Sequence, residues 1–123
     1  MKAFTDLEQG RKLTEILPIE SADMSYRKGE FTDNYLPDLK GYKYARELYA
    51  DYIKIIPCWS LSALLDILKD NIKIEKTGFG QSAMFTYSIA GDGYDYETYE
   101  HKELIDACYE MIIKLHEKNE LVI

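Results

Sequence analysis

SLSALLDILKDNIKIE, residues 60–75, decides the fold class because its apolar residues change period halfway along. Up to Leu68 they recur three and four positions apart, which is typical of one face of a helix. From Ile72 onwards they alternate with polar residues, which is typical of a strand. Ser60 is the predicted N-cap of the helix, since a serine hydroxyl there can accept a backbone hydrogen bond. A helix followed directly by a strand predicts a mixed fold.

Two more strands are predicted downstream, at residues 83–89 and 94–99, where apolar and polar side chains again alternate. The Asp92-Gly93 step between them suits a tight hairpin turn, because an Asp-Gly pair readily takes positive φ angles. These two strands are therefore expected to be antiparallel neighbours. With the strand that begins at Ile72 they make a predicted three-stranded antiparallel meander.

A helix is predicted near the N-terminus. Thr5-Asp6-Leu7-Glu8 fits a capping box, in which the threonine hydroxyl and the glutamate carboxylate each accept a backbone hydrogen bond. Pro18 ends this helix, since proline cannot continue the hydrogen-bond ladder. Gly10 lies on its apolar side, and we expect another backbone to approach closely at that position.

The last helix is predicted from Lys102 to about Lys118. Glu110 and Lys114 form a favourable pair, four residues apart, on its polar side. Its wide apolar face is expected to be buried in the core. The residues of that face are Leu104, Ala107, Cys108, Met111, Ile112 and Leu115.

Residues 19–56 give weaker signals. Residues 23–27 could form a short strand, and residues 29–41 are predicted to be a loop. A helix is favoured over residues 43–51, although the Tyr-Ile-Lys-Ile-Ile sequence at 52–56 suits a strand equally well. Trp59 is expected at the edge of the core. The sequence as a whole predicts one α+β domain over residues 1–123, in which the three-stranded antiparallel meander packs with three main helices.

Charge and hydropathy exclude several kinds of partner. The net charge is −7 and the pI is about 4.8, which argues against binding nucleic-acid phosphates or an anionic membrane. The longest uncharged run, residues 77–91, contains three glycines and is too short and polar to span a bilayer. The N-terminus meets Asp6 early and lacks the apolar stretch of a signal peptide. We therefore expect a cytoplasmic protein.

No arrangement of residues in the sequence indicates a catalytic or metal site. Gly78-Phe79-Gly80 resembles only part of a phosphate-binding turn, and a hairpin loop explains it better. Cys58, His101, Cys108 and His116 show no metal-ligand spacing. Cys108 and His116 are also about 12 Å apart along a helix, at a rise of 1.5 Å per residue, which is too far for a nucleophile and its base. The cysteines are expected to be reduced and buried. We predict no catalytic residue, no metal and no cofactor.

Acidic residues are concentrated in the second half of the chain. Residues 1–60 carry a net charge of −1, and residues 61–123 carry −6. Over residues 92–100 the acids are interleaved with tyrosines, which offer contact area and a hydroxyl at a low cost in side-chain entropy. A solvated charged face is the plainer explanation of this segment. Its residues are nevertheless the candidate partner-binding site: Asp92, Tyr94, Asp95, Tyr96, Glu97, Tyr99 and Glu100.

Four segments of the chain carry a resemblance to known sequences, namely residues 4–18, 20–24, 56–65 and 106–117. Together they resemble a family of small uncharacterised proteins from anaerobic gut bacteria, their phages and their mobile elements. The family has no established activity, so the resemblance implies no catalytic residue. The resembling segments are helices and caps, whereas the sheet and residues 26–55 are particular to this chain. The resemblance therefore implies a shared scaffold with a variable surface, where binding usually resides.

Three functions remain open on the sequence. The first is a small non-enzymatic interaction module, an accessory factor that binds a protein. The acidic segment implies a basic partner. The second is an acidic inhibitor that mimics nucleic acid and occupies a basic groove. The third is a small-ligand-binding protein or an enzyme that uses a tyrosine-lined pocket. The absence of a catalytic motif favours the first. Neither the partner nor the oligomeric state follows from the sequence.

Overall fold

The computed structural model describes residues 2–28, 34–49, 54–69, 72–78, 85–91 and 97–121. These ranges contain four α-helices and five strands in antiparallel sheets, so the predicted α+β class is confirmed. The helices are α1 (Leu7–Thr14), α2 (Tyr42–Tyr49), α3 (Leu61–Leu68) and α4 (Leu104–Glu117), and a short 3₁₀ helix covers Ile19–Ser21. The strands are β1 (Met24–Lys28), β2 (Tyr35–Asp38), β3 (Lys54–Cys58), β4 (Ile72–Gly78) and β5 (Phe85–Gly91).

The chain divides into two compact units. The first unit comprises residues 4–63 and contains α1, α2 and a three-stranded sheet. The second unit comprises residues 64–121 together with residues 2 and 3, and it contains β4, β5 and α4. The single domain predicted from the chain length stays a prediction.

The sheet of the first unit has the order β2-β1-β3, with both pairings antiparallel. Tyr26 in the central strand lies opposite Pro37 on one side and Ile56 on the other. The prolines Pro37 and Pro57 both lie in the outer strands. Because proline lacks an N–H group, strand prolines are confined to such edges.

This sheet corrects the prediction for residues 29–41, which were expected to be a loop. Its short strand β2 lies within that range and carries Pro37, a residue that argues against a strand in sequence reasoning. The helix predicted over 43–51 is confirmed by α2, and the short strand at 23–27 is confirmed by β1. The strand β3 completes the sheet and agrees with the strand alternative for residues 52–56, of which residues 54–56 are described.

The close approach predicted at Gly10 is confirmed. The glycine is buried on α1, and a Cβ atom added to it would lie 2.5 Å from the backbone oxygen of Pro57 in β3. Real Cβ atoms are essentially never that close to another heavy atom. Helix α1 can therefore pack on β3 at this distance only because residue 10 has no side chain.

The capping box of α1 is present, but it is displaced by one residue from the prediction. Asp6, not Thr5, is the N-cap: its carboxylate accepts the Gln9 N–H at 2.8 Å, and the Gln9 amide oxygen accepts the Asp6 N–H at 3.0 Å. The cap predicted for α3 is confirmed, since the Ser60 Oγ accepts the Ala63 N–H at 3.2 Å.

Thr5 is instead fully buried and joins the start of the chain to the end of β3. Its N–H donates to the carbonyl of Trp59 at 2.9 Å, and its Oγ1 accepts the Trp59 N–H at 3.0 Å. The hydroxyl of Tyr26 donates to the Thr5 carbonyl at 2.6 Å. Thr5 thus provides hydrogen-bond partners for the Tyr26 hydroxyl in β1 and for the backbone of Trp59, which lies between β3 and α3.

Burial changes the chemistry of the groups around Thr5. It raises the pKa of Tyr26 to about 12 and the pKa of the Cys58 thiol to about 11. Both groups are therefore neutral near pH 7. Trp59, expected at the edge of the core, is in fact fully buried, and its indole N–H donates to the Ser21 Oγ at 2.9 Å.

In the second unit, β4 and β5 form an antiparallel pair in which Ile74 lies opposite Ile89. The strands predicted at 72–75 and 83–89 are confirmed as β4 and β5 with changed ends. Residues 94–96 of the third predicted strand lie outside the described residues. Its last part is placed beside β5, because Glu97 makes an isolated antiparallel bridge with Ala90.

Helix α4 confirms the last predicted helix. It begins two residues later than predicted and ends one residue earlier. It packs on β5. The apolar face is buried as expected except that Ile105 replaces the half-buried Leu104. Cys108 is buried in the middle of this face, and burial raises the pKa of its thiol to about 12. The buried members of the face are Ile105, Ala107, Cys108, Met111, Ile112 and Leu115.

We predict that Gly10→Ala destabilises the protein by about 2 kcal/mol, because the new methyl group must push α1 away from the Pro57 carbonyl. In an exposed helix the same change would stabilise by about 0.5 to 1 kcal/mol, so the sign is decisive. Urea unfolding measures the free energy. Lys12→Ala on the exposed side of α1 is the matched control and should change stability by less than about 0.5 kcal/mol. A Gly10→Ala protein as stable as the wild type would contradict the packing described.

Candidate interaction site around Tyr99

The structure describes part of the site predicted from the alternation of acids and tyrosines. Four of its residues lie outside the described residues, namely Asp92, Tyr94, Asp95 and Tyr96. Glu97, Tyr99 and Glu100 are described, and all three are exposed. Tyr99 has 78% of its surface exposed, against 57% for the exposed tyrosine Tyr44 of the first unit.

The segment that carries Tyr99 is held against β5 by its buried neighbour Thr98. The Thr98 N–H donates to the carbonyl of Ile89 at 2.8 Å, and the Thr98 Oγ1 accepts the Ile89 N–H at 2.8 Å. Three residues after Thr98, His101 exchanges both backbone hydrogen bonds with Tyr87, at 2.7 and 2.8 Å. Because Thr98 points inwards, Glu97 and Tyr99 on either side of it point to solvent, as the predicted alternation requires.

The carboxylate of Glu110, on α4, holds this segment from the helix side. It accepts the backbone N–H of Tyr99, at 3.1 Å to one oxygen and 3.2 Å to the other. The Nε2 of His101 lies 2.7 Å from Oε1, and the Nζ of Lys114 lies 2.9 Å from Oε2. Since an ionised carboxylate only accepts hydrogen bonds, the proton of the first pair resides on the imidazole Nε2.

Lys114 adds two further contacts to the same segment. Its ammonium donates to the carbonyl of Glu97 at 2.7 Å and lies 5.1 Å from the centre of the Tyr99 ring. An ammonium at this distance from an aromatic ring is attracted by the electrons of the ring face. Both the backbone and the ring of Tyr99 are therefore held in place, although most of the side chain is exposed to water.

The electrostatics of Glu110 agree with this anchoring role. Partial burial alone would raise the pKa of its carboxyl group. The hydrogen bonds from Lys114, His101 and the Tyr99 N–H, with the charge of Lys114, outweigh burial and lower that pKa below its ordinary value. The carboxylate is thus ionised near neutral pH and keeps its three donors together.

The contacts of Glu110 and Lys114 hold the backbone and the ring of Tyr99 in place. Both oxygens of Glu110 accept hydrogen bonds from groups on or beside the segment that carries Tyr99. The thiol of Cys108, in the buried apolar face of α4, is protonated near pH 7, so it is a poor nucleophile. The geometry of Glu110 therefore supports positioning of Tyr99.

Sequence reasoning recognised Glu110 and Lys114 only as a pair that stabilises α4. The pair is present, but its larger role is to bind residues 97–101, which lie on a different element. A glutamate and a lysine four residues apart on a helix do not predict that either side chain also contacts another segment. His101 was weighed in the sequence only as a metal ligand. Among the described residues no group of three or more histidines, cysteines and acids could hold a metal ion.

The first unit carries a second surface feature, a depression of about 450 Å³. It is open to solvent on one side and combines a tyrosine with two acids. Drug-sized ligands usually bury most of their surface in an enclosed cleft. The residues around this depression are Ile19, Glu20, Ala22, Gly41, Tyr44 and Glu47.

Comparisons of the chain with protein-family models, with curated proteins and with solved structures found no match. In the described part of the chain no helix combines the length and the apolar character needed to cross a bilayer. The longest of these helices, α4, has 14 residues.

We predict that Glu110→Gln lowers stability near pH 7 and that this loss shrinks in acid. The folded pKa of Glu110 is lowered, so its ionised form contributes stability above the ordinary value of 4.5, and that contribution disappears as the pH falls through the lower folded pKa. Urea unfolding of both proteins from pH 7 to pH 3 measures the difference. Glu117→Gln, on the exposed end of α4, is the control. A difference between wild type and Glu110→Gln that stays constant or grows in acid would contradict the anchoring role.

Proposed function

We propose that the protein is a small non-enzymatic interaction module that binds another protein through residues 97–100, with Tyr99 as the central contact. The observation that carries the proposal is the combination of exposure and fixation at Tyr99. The side chain is 78% exposed, yet its backbone is bonded to Glu110 and its ring lies against Lys114.

Fixation matters because binding must offset the entropy lost when side chains and loops are ordered at an interface. At Tyr99 a large part of that ordering is already present in the unbound protein. Tyrosine also combines a large apolar ring with a hydroxyl, and it is enriched among the residues that dominate interface energies. Tyr99 therefore combines the two properties expected of a dominant contact residue, a fixed position and a large side chain that can both pack and hydrogen-bond.

The charges around Tyr99 favour a partner with a basic surface. Glu97 and Glu100 are exposed on either side of it, and residues 61–123 carry a net charge of −6. Opposite charges at the rim of an interface steer association and set orientation. The resemblance to proteins of phages and mobile elements extends the proposal to an accessory factor that acts in the cytoplasm.

Two alternatives are less well supported. A mimic of nucleic acid needs a dense array of negative charge, but Lys102 and Lys114 interrupt the acids near Tyr99. A small-ligand carrier would use the depression near Tyr44, which is widely open to solvent. The matched exposed tyrosines of the two sites allow one experiment to separate interaction at Tyr99 from binding at this depression.

The test begins with a pull-down from the native host, followed by measurement of Kd for the purified partner. We expect Tyr99→Ala to weaken binding by about 2 kcal/mol or more, the usual loss at a dominant contact residue. Tyr44→Ala, the control in the other unit, should change binding by less than about 0.5 kcal/mol. Circular dichroism and urea unfolding verify that both variants are folded.

The dependence on salt gives a second readout of the same complex. The association rate should fall as ionic strength rises, because screening removes steering between the acidic segment and a basic partner. Unchanged binding by Tyr99→Ala would overturn the proposed site. A larger loss with Tyr44→Ala than with Tyr99→Ala would transfer the site to the depression of the first unit.

A further inference from the structure

The two-stranded sheet of the second unit has two unlike edges. On one side of β5, residues 97–101 supply backbone partners through the bridges at Ala90 and Tyr87. On the other side lies β4, which pairs with β5 and with no other strand among the described residues. Residues 73–78 of β4 are exposed. The outer edge of β4 is therefore a surface on which a further strand could add.

The direction of the backbone groups along β4 follows from the register. Tyr87 directs its N–H and carbonyl to His101, away from β4. Residues alternate along a strand, so the next residue, Ser88, directs its groups towards its partner in β4, Glu75. Ile74, one residue before Glu75, consequently directs its N–H and carbonyl to the outer edge.

The other sheet shows how this protein protects its edges elsewhere. The outer strands β2 and β3 each contain a proline, Pro37 and Pro57, which cannot donate to an added strand. The seven residues of β4 include no proline. Its side chains alternate between isoleucine and charge over Ile72-Lys73-Ile74-Glu75, and Ile74 is 41% exposed.

We propose that β4 pairs with β4 of a second copy of this chain, antiparallel about a two-fold axis at Ile74. In that register the two Ile74 residues lie opposite each other and exchange N–H to carbonyl hydrogen bonds. Lys73 of each copy lies opposite Glu75 of the other, which places two ion pairs across the junction. Opposite charges at directly facing positions stabilise strand pairing.

The charges on β4 select this register over its neighbours. An axis at Lys73 would place two lysines opposite each other, and an axis at Glu75 would do the same with two glutamates. Like charges at facing positions destabilise a strand pair. The sequence Lys73-Ile74-Glu75 is thus complementary to its own antiparallel copy. The self-pairing surface is separate from Tyr99 and is tested without a partner.

The first measurement is sedimentation equilibrium of the full chain at protein concentrations up to about 1 mM, where a complex with a Kd near 1 mM already populates the dimer. We expect the apparent mass to rise from the monomer towards twice the monomer mass. A chain that stays monomeric over the whole range would overturn the proposal.

Charge exchange at the junction provides the decisive comparison. Lys73→Glu places glutamates opposite each other in both pairs, and Glu75→Lys places lysines opposite each other. Each variant alone should dimerise at least about tenfold more weakly than the wild type. An equal mixture of the two variants restores both ion pairs in the mixed dimer, and its association should return to within about threefold of the wild type.

The controls are the same exchanges on the exposed end of α4, Lys118→Glu and Glu117→Lys, which should leave dimerisation unchanged. Circular dichroism verifies the fold of each variant. Self-association of Lys73→Glu and Glu75→Lys at wild-type strength, or failure of their mixture to associate more strongly than either alone, would overturn pairing through β4.

Discussion

The buried hydroxyl and backbone of Thr5 form the constraint on which the first unit depends. The Thr5 N–H and Oγ1 bond the backbone of Trp59, and its carbonyl accepts the hydroxyl of Tyr26. An unsatisfied buried polar group costs about 1 to 3 kcal/mol, so each partner specifies the position of the others. The start of the chain is thereby fixed beside the end of β3, with α1 immediately after it. That placement brings Gly10 against the carbonyl of Pro57, where only glycine fits.

The second unit uses a charged group for a comparable purpose. The carboxylate of Glu110 gathers the N–H of Tyr99, the imidazole of His101 and the ammonium of Lys114. Hydrogen bonds to an ionised group are stronger than those between neutral groups. One of these strong hydrogen bonds fixes the backbone of Tyr99, whose ring is exposed. The packing of α4 on β5 thus positions the part of the surface that we propose for recognition.

The sequence was sufficient to predict helices and strands whose apolar residues recur at a regular spacing. It was also sufficient to predict the close contact at Gly10, which has no Cβ atom. The apolar stripes predicted α3 and α4, and the alternation from Ile72 predicted β4. Gly10 on an apolar helix side predicted a close backbone approach.

What the sequence could not predict depends on pairing between distant residues. The outer strand β2 contains Pro37, which argues against a strand until its neighbour β1 is known. Strand β3 stayed an alternative, because the sequence of residues 52–56 suits a strand and a helix equally well. Thr5 fits a cap as well as it fits a buried bridge, and the difference depends on Trp59, 54 residues away. At the candidate site, the alternation of acids and tyrosines makes Tyr99 one of the predicted contact residues. The hydrogen bond between the Tyr99 backbone and Glu110 could not be predicted from the alternation of acids and tyrosines, nor from the spacing of Glu110 and Lys114 on the helix.

Native-state hydrogen exchange at the backbone amide of Trp59 tests the account most directly. If the Thr5 hydroxyl is the buried acceptor of this N–H, the amide exchanges only through unfolding of the whole first unit. Its exchange free energy then equals the free energy of that unfolding and falls steeply with denaturant. Thr5→Ser keeps the acceptor and should preserve this behaviour. Exchange of the Trp59 amide through small fluctuations that are insensitive to denaturant would contradict the central place given to Thr5.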